Sequence, residues 1–236
     1  GVLALEDNTT GCQNVAIGSS ALCSNTTACF NTAVGGCSLF ANTSGANNTA
    51  VGYLALKTNT GSNDNTAVGT YALCLTTGCK NTAVGKSAVQ GNTTGNFNVG
   101  FGNFALATNS TGNYNTAIGT CALYDNTTAS YNVGVGFRTL CDNTTGFKNT
   151  ASGTYASQLN TTGACNSSFG YQAGRNTTTG TNNTASGYQA LRNNTTASYN
   201  TAIGSRSAYE NTTGEYNTAV GGCSLYANTT GASNTA

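Results

Sequence analysis

The sequence predicts an all-β protein, a parallel β-solenoid in which one seventeen-residue repeat makes one coil, about 14 coils in all. Three observations carry that fold class. A unit of the form N-T-A-V-G-x-x-A-L-x-x-N-T-T-G-x-x starts at Asn14 and recurs to Asn234, broken only by a sixteen-residue step from Asn65 to Asn81. A period this short cannot enclose a core alone, so each repeat must stack on its neighbours. Counting the opening Asn as phase 1, phase 5 is glycine throughout: Gly18, Gly35, Gly52, Gly69, Gly85, Gly102, Gly119, Gly136, Gly153, Gly170, Gly187, Gly204 and Gly221. Finally, 31 glycines among dense Thr and Asn oppose helix in every repeat.

Each stretch of the repeat then has an expected role. Phase 3 is small (Ala16, Ala33, Gly100) and phase 4 is Val, Ile or Phe (Ile17, Val34, Phe101), a period-two alternation that predicts a strand over phases 2–5. Phase 8 is small (Ala21, Ser38) and phase 9 is leucine (Leu22, Leu140, Leu225), which predicts a second strand over phases 7–10. Asn-Thr-Thr-Gly at phases 12–15 supplies a turn, because Asn and Gly tolerate the left-handed conformation. Invariant phase 5 glycines point to a positive φ or to a contact without room for a Cβ. Stacked coils set identical residues about 4.8 Å apart, so the stack reaches about 65 Å and Asn at phases 1 and 12 forms amide ladders along the axis. The core is expected to thin over residues 149–190, where Ser152, Ser157, Gly174 and Ser186 replace larger apolar residues.

The repeat makes residues 1–236 a single array without separate domains. Charged residues are 6% and net charge is +1, which gives no electrostatic footprint for nucleic acid. No apolar run reaches transmembrane length. The chain has no His, which excludes His-based triads and His-containing zinc sites. Its seven acids are scattered along the chain, against a calcium-binding roll or paired-carboxylate chemistry. The expectation is a protein that is not an enzyme, with no catalytic residue, no metal and no cofactor.

Ten cysteines in so uncharged a chain point to an oxidising, extracellular setting. Cys23 with Cys29, and Cys74 with Cys79, flank the Asn-Thr-Thr segment of one coil in the same way and predict a loop-stapling disulfide. A rival is Cys12 with Cys29, the same phase on adjacent coils, at a spacing that a disulfide spans. Cys121 and Cys141 sit on adjacent coils and form a further pair, whereas Cys165 and Cys223 lie roughly 19 Å apart along the stack. Phase 12 also generates glycosylation sequons at Asn8, Asn25, Asn42, Asn92, Asn109, Asn126, Asn143, Asn160, Asn194, Asn211 and Asn228, placed on the expected outer turn. Other sequons start at Asn47, Asn166, Asn176, Asn182 and Asn193. Asn and Thr are equally the residues that turns and ladders require, so the repeat creates sequons without glycosylation. Phase 17 carries an intermittent aromatic line (Phe30, Phe97, Tyr114, Tyr131, Tyr199, Tyr216), read as an outward stack and, in the alternative, as a carbohydrate contact.

Asn14-Val15-Ala16-Ile17-Gly18 and its Asn-Thr-Ala-Val-Gly copies resemble the head repeats of trimeric autotransporter adhesins. The whole repeat also resembles repeat regions of phage and environmental tail-fibre-like proteins. That resemblance covers the full chain and implies a left-handed β-roll, with trimerisation as one arrangement, in an extracellular adhesive or receptor-binding fibre. The repeat here is longer than an adhesin-head unit, and the chain is richer in cysteine. Together the readings predict a non-enzymatic extracellular fibre or shaft on a secreted, cell-surface or virion-surface appendage. Its partners are copies of itself stacking end to end, and glycans or surface carbohydrate, with no nucleic acid and no membrane span. The alternatives are an ice-binding solenoid with ranked Thr at phases 2, 13 and 14, and a receptor-binding tail-fibre segment.

Overall fold

The computed structural model describes residues 1–236, which fall into two compact units, Gly1–Asn115 and Thr116–Ala236. Each is a parallel β-solenoid. The first holds β1 (Val15–Ile17), β2 (Thr32–Val34), β3 (Thr49–Val51), β4 (Thr66–Val68), β5 (Thr82–Val84) and β6 (Val99–Phe101). The second holds β7 (Thr116–Ile118), β8 (Val133–Val135), β9 (Thr150–Ser152), β10 (Ser167–Phe169), β11 (Thr184–Ser186), β12 (Thr201–Ile203) and β13 (Thr218–Val220). Strands pair in parallel at equal phase, Ala33 on Ala50 and Ala50 on Ala67 in the first unit, Ala185 on Ala202 and Ala202 on Ala219 in the second. No helix is long and apolar enough to cross a membrane.

Each coil has one strand, of three residues, where the sequence reading expects two. Phases 6–11 form turns. Phases 7 and 9 both take positive φ, as at Ser20 (54°) and Leu22 (50°), and so does phase 17, as at Phe30 (62°). Amides at phases 8 and 12 close short loops within the coil, Ala21 N–H to Gly18 O at 3.4 Å and Asn25 N–H to Leu22 O at 3.2 Å. A true strand would send Ala21 and Leu22 to opposite faces, yet both are fully buried. The alternation of small and large residues that mimics a strand is an alternation of backbone handedness. Left-handed Leu, Tyr and Val residues cost about 1–2 kcal/mol each. Hydrogen bonds between coils offset that cost: phase 9 N–H reaches the phase 8 carbonyl of the next coil (Leu22 to Ser38 O, 3.0 Å), and phase 7 N–H reaches back to phase 6 (Cys37 to Ser19 O, 2.9 Å).

The core is a column of small phase 3 and phase 8 residues capped by phase 9 leucines, with Ala33, Ala21, Leu22, Leu39 and Leu56 wholly buried. Phase 4 points the other way. Ile17, Val68, Phe101, Ile118, Phe169 and Ile203 are exposed, which corrects their expected place in the core. Of the four small residues expected to thin the core between 149 and 190, Ser152 and Ser186 therefore stand on the outer face, whereas Ser157 and Gly174 occupy the leucine position. There Ser157 Oγ bonds Ser168 Oγ at 2.7 Å, and a Cβ on Gly174 would lie 2.7 Å from Ser168 Oγ.

Two asparagine ladders line the interior as the repeat predicts. At phase 1, Oδ1 accepts the N–H of the next Asn, as from Asn98 to Asn81 at 2.9 Å, and Nδ2 crosses the coil to the phase 15 carbonyl, as from Asn81 to Gly95 O at 2.9 Å. At phase 12, Nδ2 donates to that same carbonyl, Asn92 to Gly95 O at 2.8 Å, and to the preceding Asn of its own ladder, as from Asn109 to Asn92 Oδ1 at 2.8 Å. The phase 15 carbonyl thus ties both ladders into one network that closes each coil. Phase 15 itself is not left-handed, and Ala28, Ser62, Ala129 and Ala197 stand there in other coils, so the expected left-handed turn at phases 12–15 is absent. The threonine at phase 13 belongs to the same scheme, its hydroxyl donating to the next coil (Thr43 Oγ1 to Thr60 O, 3.0 Å).

Threonine breaks the phase 12 ladder twice. In the short repeat Thr76 holds the position, the missing residue being phase 14, since Gly78 O accepts from Asn65 Nδ2 at 2.9 Å as phase 15 does elsewhere. Thr177 does the same one coil after Asn160. Both threonines accept from the next Asn, Asn92 to Thr76 Oγ1 at 2.9 Å and Asn194 to Thr177 Oγ1 at 3.3 Å. Neither offers an amide to the preceding one, so Asn59 Oδ1 and Asn160 Oδ1 are buried without a partner. Thr177→Asn restores that donor and should stabilise the fold by about 1–2 kcal/mol. A melting temperature that falls in this variant contradicts the ladder account.

Candidate functional surfaces

The outward face of the sheet is built by phases 2 and 4, because the pleat sends phase 3 inward. In the first unit it ranks Thr32, Thr49, Thr66 and Thr82 beside Val34, Val51, Val68 and Val84, one coil apart and in register. Next to it runs the phase 17 line. Phe97 and Tyr114 stack at 4.9 Å with planes 6° apart, and Lys80 Nζ sits 5.1 Å over the Phe97 ring. In the second unit Tyr199 and Tyr216 stack at 5.0 Å and 1°. Equal phase places the rings at the coil spacing, which is also the distance for offset stacking.

The phase 5 glycines show both features that the sequence offered as alternatives. Gly119 has φ of +128°, and a Cβ there would lie 2.5 Å from Gly136 O and 2.7 Å from its carbonyl carbon. The preceding strand end needs that approach, since Gly136 N–H bonds Ile118 O at 2.7 Å. Gly18, Gly35, Gly52, Gly69, Gly85, Gly136, Gly153, Gly170, Gly187 and Gly204 meet the next glycine in the same way.

The sequon asparagines of phase 12 are not on an outer turn. Asn25, Asn42, Asn92, Asn109, Asn126, Asn143, Asn160, Asn194 and Asn211 are buried, and the Nδ2 atom that a glycan would modify is already committed, as from Asn42 to Asn25 Oδ1 at 3.2 Å and Gly45 O at 3.0 Å. A turn composition does not reveal which way its side chains face. Asn8 is exposed and Asn228 half-buried, and the phase 17 sequons Asn47 and Asn182 stand in solvent.

All ten cysteines are free thiols, so the predicted loop staples are not formed. Cys23 is buried with Sγ 3.5 Å from Glu6 Oε2, while Cys29 meets Cys12 across adjacent coils with the sulfurs 2.6 Å apart. Cys74 is buried, and Cys79 Sγ instead accepts the Asn63 N–H at 3.5 Å. Cys141 bonds Arg138 and Asp142 rather than Cys121, and burial pushes its thiol up to about 12. The geometry thus selects the rival pair. With oxidised glutathione, Cys12 and Cys29 should lose two protons and two electrons to form one disulfide as the oxidant becomes two glutathione thiols. Iodoacetamide mapping at pH 8 should then label exposed Cys165 and Cys223 first, leaving Cys23, Cys74 and Cys141 for the unfolded chain. A Cys23–Cys29 link found by peptide mass spectrometry would overturn this arrangement.

Asp125 and Asp142 share phase 11 on adjacent coils, and burial followed by the Asp142 charge raises the Asp125 carboxyl above its usual range. A carboxyl raised on folding destabilises the fold while it is ionised, a penalty relieved as pH falls through the folded value. Asp125→Asn should therefore raise the melting temperature at pH 7, by a change within about 1 kcal/mol, and have no effect where the carboxyl is protonated. Equal shifts at both pH values would show that charge is not the cause.

The second unit also carries every arginine of the chain, Arg138, Arg175, Arg192 and Arg206, at phases 7 and 10. Their scatter among the repeats hides them in the sequence, and the shared phases are the only signal. Comparison with protein-family models, with curated proteins and with solved structures finds no match to this chain.

Proposed function

We propose that this chain is a segment of an extracellular, non-enzymatic structural fibre, adhesive in its outer surface, whose copies join by continuing the coil ladder. The observation behind this reading is that coil after coil offers the next the same backbone and phase 1 asparagine hydrogen bonds at equal phase. Such a ladder has no built-in length and is met equally by a coil of another copy. Low charge leaves little repulsion to oppose that contact. The juxtaposed Cys12 and Cys29 thiols suit an oxidising exterior. Seeded growth tests the proposal: sheared assemblies added to fresh protein should abolish the lag in light scattering. Seeds that leave the lag unchanged would count against ladder continuation.

Ice binding is a second reading, favoured by one observation. The phase 2 threonines lie on the outward strand face in register with phase 4 valines, not on a turn. Thermal hysteresis at micromolar protein would support it, and its absence would remove it.

A further inference from the structure

We infer that the arginine-bearing edge of the second unit binds anionic polysaccharide. Arg175 Nε donates to Gln158 Oε1 at 2.9 Å, Arg192 Nε to Gln172 Oε1 at 3.0 Å, and Arg206 Nε to Gln189 Oε1 at 3.2 Å. The glutamines are themselves linked, Gln189 Nε2 to Gln172 Oε1 at 3.0 Å. Each guanidinium also lies over a tyrosine ring, Arg175 over Tyr155 at 5.8 Å, Arg192 over Tyr209 at 5.7 Å and Arg206 over Tyr188 at 5.8 Å. Three side chains that ordinarily wander are therefore held by neutral partners, which position the charge without neutralising it. Glu210 is linked to this edge at one remove: Arg192 Nη1 donates to Asn193 Oδ1 at 3.1 Å, and Asn193 Nδ2 to Glu210 Oε2 at 3.0 Å.

With Nε engaged, the Nη groups of Arg175 and Arg206 are the donors left for a ligand, and guanidinium N–H groups suit the oxygens of sulfate or carboxylate. Successive coils repeat at about 4.8 Å, comparable to the length of one sugar ring, so a linear chain with acidic groups can follow the edge. Nucleic acid fits less well. Its single-strand binding draws on bases stacking against free aromatic faces, but Tyr171 and Tyr188 already stack on each other at 5.5 Å and 13°. The inference needs one chain only and stands whether or not copies stack.

Titration of the full chain with dextran sulfate, neutral dextran and single-stranded oligothymidylate tests it. Dextran sulfate should bind, more weakly as salt rises, and neutral dextran should not. The triple variant R175Q/R192Q/R206Q should lose about tenfold or more in affinity. R175K/R192K/R206K keeps the charge and should bind more tightly than the glutamine variant, while K57Q/K86Q, in the other unit, should match the parent. Failure of the parent to bind dextran sulfate, an unchanged triple glutamine variant, or an equal loss in K57Q/K86Q would overturn the inference. Preference for oligothymidylate at the same salt would assign the edge to nucleic acid instead.

Discussion

Gly119→Val should cost about 3 kcal/mol or more and unravel the coil around β7, whereas Thr120→Val, one residue on, should stay within about 0.5 kcal/mol of the parent. Two penalties combine at Gly119. Its φ of +128° is closed to a β-branched side chain, and the added Cβ would meet the backbone carbonyl of Gly136 at 2.5 Å. Backbone held in a ladder cannot step aside as a flexible side chain does. Thr120 is exposed, and its phase accepts Ser19, Tyr53, Lys86 and Asn103 in other coils. Urea melts of the two variants decide the matter. Equal midpoints would mean that the phase 5 contact does not hold the stack together.

Asn81→Leu is the second large effect expected, a loss of about 3 kcal/mol despite similar volume. The asparagine is fully buried and joins four partners: it donates from Nδ2 to Gly95 O at 2.9 Å and from its N–H to Asn65 Oδ1 at 2.9 Å, while its Oδ1 accepts Asn98 N–H and its carbonyl accepts Thr66 N–H, both at 2.9 Å. Leucine keeps only the two backbone bonds. The Asn98 amide would be left inside without an acceptor, at about 1–3 kcal/mol, and two hydrogen bonds at about 1 kcal/mol each would go. Thr94→Ala, at an exposed phase, should be neutral within about 0.5 kcal/mol. Thermal unfolding of both variants gives the comparison, and a neutral Asn81→Leu would show that the ladder is incidental to stability.

Those two residues were legible because their reasons act on every coil alike. A glycine kept at one phase beside the variable Ser19, Gly36 and Tyr53 signals a backbone constraint, and asparagine kept at two phases signals an amide ladder. Orientation was harder to read. Ala21 and Leu22 look like alternating strand residues, but positive φ at Ser20 and Leu22 turns both inward, and residue type carries no mark of that handedness. Ile17 and Leu22 are equally apolar, yet one faces water and the other the core. Asn42 looks like a turn residue and a sequon, and only the coil path shows its amide bonded inside. The choice between the two cysteine pairings was hidden for a related reason: phases 10 and 16 flank the same turn, but the phase 16 sulfurs meet along the axis, as Cys12 and Cys29 do. The arginine edge depends on glutamines one coil away, such as Gln158 for Arg175, a relation that no local motif displays.

We propose that coils of one copy continue those of the next. Electron cryo-microscopy of the purified protein under native conditions tests it most directly. Long filaments are expected, with layers that repeat at about 4.8 Å along the axis and density continuous in register from copy to copy. Discrete single chains at every concentration, with no layered filament, would contradict it.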